Sequence, residues 1–240
     1  MTDPVTEPIR HYRYYDLILA AFAVILLCSN FIGAGKAAVI DLPYYGPFIF
    51  GAGILFFPIS YFFGDILTEV YGYAHDRRAV WTGFAALAFA AIMAQVVIAL
   101  PPAPGAYMAK YQEGMETVFG NSWRIALASM IAFWCGSFSN SFVFAKLKIL
   151  TKGRHLWIRV VGSTGVGGFV DSSLFYMLAF YGLWPTNEVV EVAVAQFFLK
   201  TAWEILAIPL TYLVVNYLKR KENEDYYDTD TNFTPFRVKV

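Results

Sequence analysis

Apolar residues in this chain come in long blocks divided by short polar joints. They show neither the strict alternation of a half-buried strand nor the single stripe of a soluble helix. A block must reach about 20 residues to cross a bilayer as a helix. Six blocks do: about 15–33, 47–71, 79–100, 122–149, 157–183 and 189–218. Pro101-Pro102 close the third. The joint that follows contains a segment, 106–119, with the two-faced pattern of a helix lying at a membrane surface. The pattern predicts an all-α integral membrane protein with six transmembrane helices. It also predicts a polar N-terminal segment (1–14), a six-helix domain (15–218) and a charged, mobile tail (219–240).

Composition strengthens the membrane reading. The chain is 58% hydrophobic and 15% charged over 240 residues, against about 25% charged in soluble domains. Its formal net charge is zero, so no basic field speaks for a nucleic acid. Cys28 and Cys135 stand alone in apolar blocks and read as small hydrophobes. The first block lacks a small-residue cleavage site and reads as a retained helix. Lys and Arg then set the orientation. Arg10, Arg13, Arg77, Arg78, Lys148, Lys152, Arg154, Arg159 and Lys219–Lys221 fall on one side, whereas Lys36, Lys110 and Arg124 fall on the other. Both termini are therefore expected in the cytoplasm. Tyr12, Tyr14, Tyr15, Trp81, Trp157 and Trp184 cluster near block ends, as an interfacial aromatic belt does.

The candidate chemistry lies in polar groups at membrane depth. Asp65 and Glu69 are four residues apart, on one helical face. An ionised carboxylate at the bilayer centre costs roughly 2.5–3.5 kcal/mol on insertion scales, so such groups face a wet cavity or a partner. Asp171 has no cation nearby in sequence. Lys200 either pairs with Glu204 on its own helix or reaches another carboxylate. Asn30, Asn140 and Gln196 add amides; Lys146 and Arg159 lie near enough to block ends to snorkel. Gly165–Gly168 lacks the Gly-Lys-Ser/Thr of a phosphate loop and points to close helix contact or local unwinding. Ala86, Ala90 and Ala94 form a small-residue stripe suited to bundle packing or to a homodimer face. Phe48, Phe56, Phe57, Tyr61, Phe138, Phe175 and Tyr176 either pack or stack on a planar ligand. With no HExxH motif, and His11, His75 and His155 outside the apolar blocks, no metal or other cofactor is expected.

The run Phe57-Pro58 through Asp65 and Thr68-Glu69-Val70-Tyr71-Gly72 to Arg78 resembles the queuosine precursor transporter family, within the vitamin-uptake transporter group. Ser29-Asn30, Ala128-Ser129, Ser163-Thr164 with Asp171-Ser172 and Phe175, and Lys200 with Pro209 and Tyr212 match in the same order. The resemblance covers about residues 15–218. It implies a six-helix importer in a bacterial inner membrane, similar to the substrate-binding components of vitamin importers. The implied cargo is 7-cyano-7-deazaguanine or 7-aminomethyl-7-deazaguanine. The chain departs from the family pattern at Ser137 and Asn140, where Gln and Asp are usual, and near Gly168, where an amide is common.

The site residues expected to bind substrate are Asp65, Glu69, Asn140, Asp171 and Lys200, with Asn30, Gln196 and Arg78 as further candidates. A buried acid among them is also suited to proton coupling. Two other functions fit fewer residues. A subunit driven by a partner ATPase would use an Ala-xxx-Ala face on its first helix, which Ala20, Ala21 and Ala23 do not form cleanly. An intramembrane aspartyl protease would need Asp65 and Asp171 as a dyad, but Phe62 stands where its Gly-x-Gly-Asp loop needs glycine. No catalysis is expected.

Overall fold

The computed structural model describes residues 11–33, 36–43, 46–120, 123–183 and 185–236. Trp184 and most of the N-terminal segment lie outside them. Seven α-helices are present among these residues: α1 (Tyr15–Cys28), α2 (Phe57–Tyr71), α3 (Tyr73–Ala99), α4 (Ala106–Phe119), α5 (Trp123–Leu150), α6 (Leu156–Phe180) and α7 (Thr186–Glu222). A π-helical turn, Ser29–Gly33, continues α1. The helix expected over 106–119 is present with those bounds.

Two boundaries differ from expectation for physical reasons. The second apolar block does not begin as helix. Strands β1 (Ala37–Leu42) and β2 (Gly46–Gly51) pair antiparallel from Ala37↔Gly51 to Leu42↔Gly46, so a hairpin interrupts the all-α body. A short apolar run flanked by glycines suits strand as well as helix, and periodicity alone does not separate them. The third helix starts earlier, at Tyr73, because only one residue breaks the chain after α2. Gly72 has φ +86, and a Cβ there would lie 2.2 Å from Tyr226 Cδ1, so both conformation and space demand glycine.

Five segments among the described residues are long and apolar enough to cross a membrane: Tyr15–Gly33, Ala52–Tyr71, Tyr73–Ala99, Leu127–Leu150 and Thr186–Glu222. α6 has the length, but Arg159, Asp171 and a run of Gly, Ser and Thr make it less apolar. The distribution of side chains is inverted relative to a water-soluble protein. Phe89, Ile92, Leu206 and Leu213 are exposed, whereas Asp65, Glu69, Asp76, Arg77, Lys148, Arg159 and Glu204 are buried. An apolar outside is what lipid stabilises.

α2 is the central element, buried along most of its length and packed on α1, α3, α5 and α7. α5 and α6 form an antiparallel hairpin whose backbones nearly touch. A Cβ on Gly136 would sit 2.6 Å from Asp171 Cβ and 3.1 Å from Gly167 O; one on Gly167 would sit 2.7 Å from Asn140 Cβ and 2.8 Å from Gly136 O. The glycine-rich stretch therefore serves close helix contact, and α6 runs through it without unwinding. On α3 the close approach is at Gly83, against Phe22 and Leu26 of α1, and Ala86, Ala90 and Ala94 are half-buried.

The tail is not a free extension: residues 224–235 fold back on the end of the bundle where α1 starts and α7 stops. Asp228 is buried and accepts from Tyr73 N at 3.1 Å, capping the start of α3. Arg77 Nη1 donates to Asn232 O (2.7 Å) and Thr234 O (2.9 Å), and Trp81 Nε1 donates to Pro235 O (2.7 Å). Asp228, one of the charges that suggested mobility, helps dock it, together with backbone oxygens of the tail.

Gly167→Ala should force α5 and α6 apart and lower the thermal midpoint in detergent, at an overpacking cost of about 1–3 kcal/mol. Gly165→Ala is the control, since nothing lies within 4 Å of a Cβ there. An equal loss in both variants would refute the close-contact account.

Candidate transport site

Three polar stations lie along the bundle, and together they account for most of the charged groups placed at membrane depth. The first is a cavity of about 80 Å³ at the end where α1 stops and α2, α5 and α7 start. Asp171 and Ser172 of α6, Gln196 and Lys200 of α7, Ser129 of α5 and Phe57 of α2 line it, with Phe175 and Tyr176. Lys200 Nζ donates to Asp171 Oδ2 and lies 5.0 Å from the Phe57 ring centroid. Lys200 thus reaches across to α6, and the alternative pairing with Glu204 on its own helix is not made. Asp171 and Lys200 remain 5% and 7% exposed, so the pair forms part of the cavity wall. Asn30 stands just behind: its Oδ1 accepts from Ser129 Oγ, and its Nδ2 donates to Leu26 O inside the π-helical turn.

The second station lies deeper. Asn140 Nδ2 donates to Asp65 Oδ1 at 2.8 Å, joining α5 to α2, and both residues are buried. Glu204 of α7 is buried nearby, with no hydrogen-bond partner on either oxygen. Ser141 Oγ donates to Asp76 Oδ2 from the same face of α5.

The third station is an ion cluster at the end where α1 starts and α7 stops. Glu69 Oε1 meets Arg159 Nη2 at 2.8 Å, Lys219 Nζ at 2.5 Å and Lys148 Nζ at 3.6 Å. Asp225 of the tail adds a second carboxylate, 2.7 Å from Lys148 and 2.8 Å from Lys219. Lys148 also donates to the backbone oxygens of Glu69 and Tyr226. The cluster ties α2, α5, α6, α7 and the tail together.

The eight candidate site residues therefore separate. Asp171, Lys200 and Gln196 meet in the cavity, with Asn30 supporting Ser129. Asp65 and Asn140 pair beneath it. Glu69 is taken up by cations at the far end, and Arg78 is exposed on α3, so neither lines the cavity. Arg159 does not snorkel; it is 1% exposed and bound to Glu69. Asp65 and Asp171 each have their own partner on another helix and make no dyad of the protease kind. Of the aromatic candidates, Phe57, Phe175 and Tyr176 face the cavity, while the side chain of Phe48 lies outside the described residues. Gly33 and Gly53 also border it: a Cβ on Gly33 would come within 2.6 Å of Gly53 Cα. No polar signal marks these glycines, nor the partners of Glu69. The one hint of the ion cluster is that Lys148, Arg159 and Lys219 all fall at the same end of the bundle as Glu69.

Comparison with known proteins identifies what this arrangement belongs to. The family described as "Putative vitamin uptake transporter" matches residues 51–214. The chain belongs to this family. A curated relative from Bacillus subtilis (strain 168), "Probable queuosine precursor transporter", is 31% identical over 161 residues, covering 67% of this chain and 69% of the relative. No solved structure matches the chain. This vitamin uptake transporter is accordingly a multi-pass membrane transporter and not an enzyme.

Glu69→Gln should leave the buried Arg159 and Lys148 without their carboxylate and cost about 3–5 kcal/mol, visible as a large fall in the thermal midpoint. An unchanged midpoint would mean that the cluster does not hold the bundle together.

Tail docking depends on two carboxylates of opposite behaviour. Burial pushes the Asp225 carboxyl up, but hydrogen bonds from Lys148 and Lys219 outweigh it and hold its pKa below the ordinary 3.8. Its contribution is present above that value and is lost as pH falls through the lowered one. Burial raises Asp228 above 3.8, so its contribution is full below 3.8 and declines as pH rises through the raised value. Hydrogen exchange of residues 224–235 should therefore be slowest at intermediate acidity, with Asp225→Asn removing the acid limb and Asp228→Asn the alkaline limb. Profiles identical to wild type in both variants would refute this assignment.

Proposed function

We propose that the protein imports a queuosine precursor, a 7-deazaguanine such as 7-cyano-7-deazaguanine or 7-aminomethyl-7-deazaguanine, across the bacterial inner membrane. The observation that carries this is the paired Asp171 and Lys200 in the wall of an aromatic cavity of about 80 Å³. A guanine-like edge presents ring N–H and exocyclic amine donors, which the Asp171 carboxylate accepts side by side. Its ring carbonyl takes hydrogen bonds from Lys200 and Gln196. Its flat face fits against Phe57, Phe175 or Tyr176. The name of the Bacillus subtilis relative supports this cargo class.

The two ends of the bundle suggest the mechanism. The cavity lies at one end, and the Glu69 cluster with the docked tail closes the other. Lys and Arg crowd the cluster end, which by the positive-inside rule is cytoplasmic, along with both termini. Six spans, with α6 as the fifth, satisfy that arrangement, and α4 then lies at the outer surface. Held this way, the cavity faces outward and the cytoplasmic side is sealed, the loading state of an alternating-access importer. Inward release requires the links from Glu69 to Arg159, Lys148 and Lys219 to open.

Uptake of radiolabelled 7-cyano-7-deazaguanine should be lost in Asp171→Asn and Lys200→Met at normal membrane abundance, and kept in Arg78→Gln. Wild-type rates in the first two variants would overturn the site assignment.

A further inference from the structure

The deeper station lies outside the wall of the cavity. Asp65 and Glu204 are 0% and 1% exposed. Asp65 Oδ2, both carboxylate oxygens of Glu204 and Asn140 Oδ1 lack hydrogen-bond partners. Every one of these orphans is an acceptor, so what the station lacks is a donor. On the Asn140 side, a hollow of about 10 Å³ reaches Tyr61, Ser137 and Asn140 and runs on to Phe22 of α1 and Val80 of α3, without touching Asp65 or Glu204. That is near the least volume that holds one water.

Among the described residues, no ion pair joins a cation to either acid. The charge that weighs most on Asp65 is Glu204, across the α2–α7 contact, followed by Asp76 of α3 and Glu69 of α2 itself, all acidic. α5 contributes only the Asn140 amide to Asp65. Lys200, one turn before Glu204, is bound to Asp171 of α6. Arg159, Lys148 and Lys219 are bound to Glu69. Tyr61 lies between this station and Asp171 and is close to both acids. α1 carries an exposed Asp16, Cys28 and Tyr15, whose hydroxyl donates to His75 O. The described residues hold no group of three or more His, Cys, Asp or Glu able to hold a metal ion. Two buried carboxylates that repel each other, each with an oxygen left without a donor, are stabilised by a proton.

We propose that Asp65 and Glu204 form a proton-binding site, separate from the cargo cavity, through which import is coupled to the proton gradient. A proton from water adds to one carboxylate oxygen. The new O–H donates to the other carboxylate. Release to water on the other side breaks only that O–H bond. Asn140 is a positioning residue: its amide holds Asp65 Oδ1 and leaves Oδ2 toward the proton. The coupling half of this inference rests on the transport reading; the proton site itself does not.

Infrared difference titration of the purified full-length protein, with no substrate present, separates the two. Wild type should show a protonated-carboxyl C=O band that shifts in D2O and persists at neutral pH. Glu204→Gln and Asp65→Asn should each alter or remove it, whereas Glu191→Gln, an exposed position on α7, should keep it. A band untouched by both site variants, removed only by Asp76→Asn, or absent from wild type would overturn the proposal. In proteoliposomes, an inward pH gradient should accelerate 7-cyano-7-deazaguanine uptake by wild type, and the acceleration should be lost in Glu204→Gln. Acceleration by a sodium gradient at equal pH on both sides would overturn the choice of proton. If wild-type vesicles take up no 7-cyano-7-deazaguanine, the cargo reading fails, and the infrared result still decides the proton site.

Discussion

A charge placed beside hydrocarbon has to be met by a partner, and in this protein that requirement fixes where the helices stand relative to one another. Glu69 holds Arg159, Lys148 and Lys219, which come from three different helices and converge on one carboxylate oxygen. Asp171 holds Lys200 and so joins α6 to α7. Asn140 joins α5 to α2 through Asp65. Lipid is as apolar as any core residue, so the hydrophobic effect gives little preference for one helix arrangement over another within the bilayer. Polar pairs that are too costly to separate supply much of the specificity.

Such pairs work only if the backbones between them come close enough, and this is the part played by glycine. Gly136 and Gly167 let α5 and α6 approach until Asp171 and Asn140 sit against the facing helix backbone. Gly33 and Gly53 do the same where α1 and the start of α2 meet at the cavity rim. Adding a methyl group at Gly136 would displace Asp171 as well as a helix, and one at Gly167 would displace Asn140. Packing and electrostatics are therefore not independent contributions here.

The same requirement gives the two ends of the bundle different character. At the cavity end the Asp171–Lys200 pair is slightly exposed and forms part of the cavity wall. At the other end the ion cluster is buried and roofed by the tail, with Asp225 sharing Lys148 and Lys219 with Glu69. The bundle thus has a cavity at one end and a buried, multiply bonded cluster at the other.

Much of this was legible from residue order alone. The apolar blocks announce a helical membrane protein, the 106–119 segment emerges as a separate helix, and the stranded acids Asp65, Glu69 and Asp171 mark positions that need a polar partner inside the bundle. These are local properties: hydropathy, helical period and the cost of burying a charge all depend on neighbours within a few turns. What the linear chain left open were the partners. Lys200 had Glu204 four residues away, yet it binds Asp171, twenty-nine residues back along the chain on another helix. Glu69 resembled Asp65 in every local respect but stands one turn further down α2, among cations rather than beside Asn140. The tail, polar enough to pass for a loose end, is fastened to Tyr73, Arg77 and Trp81. Pairing across helices depends on their rotation and depth in the bundle, and those are set only when all the elements pack together.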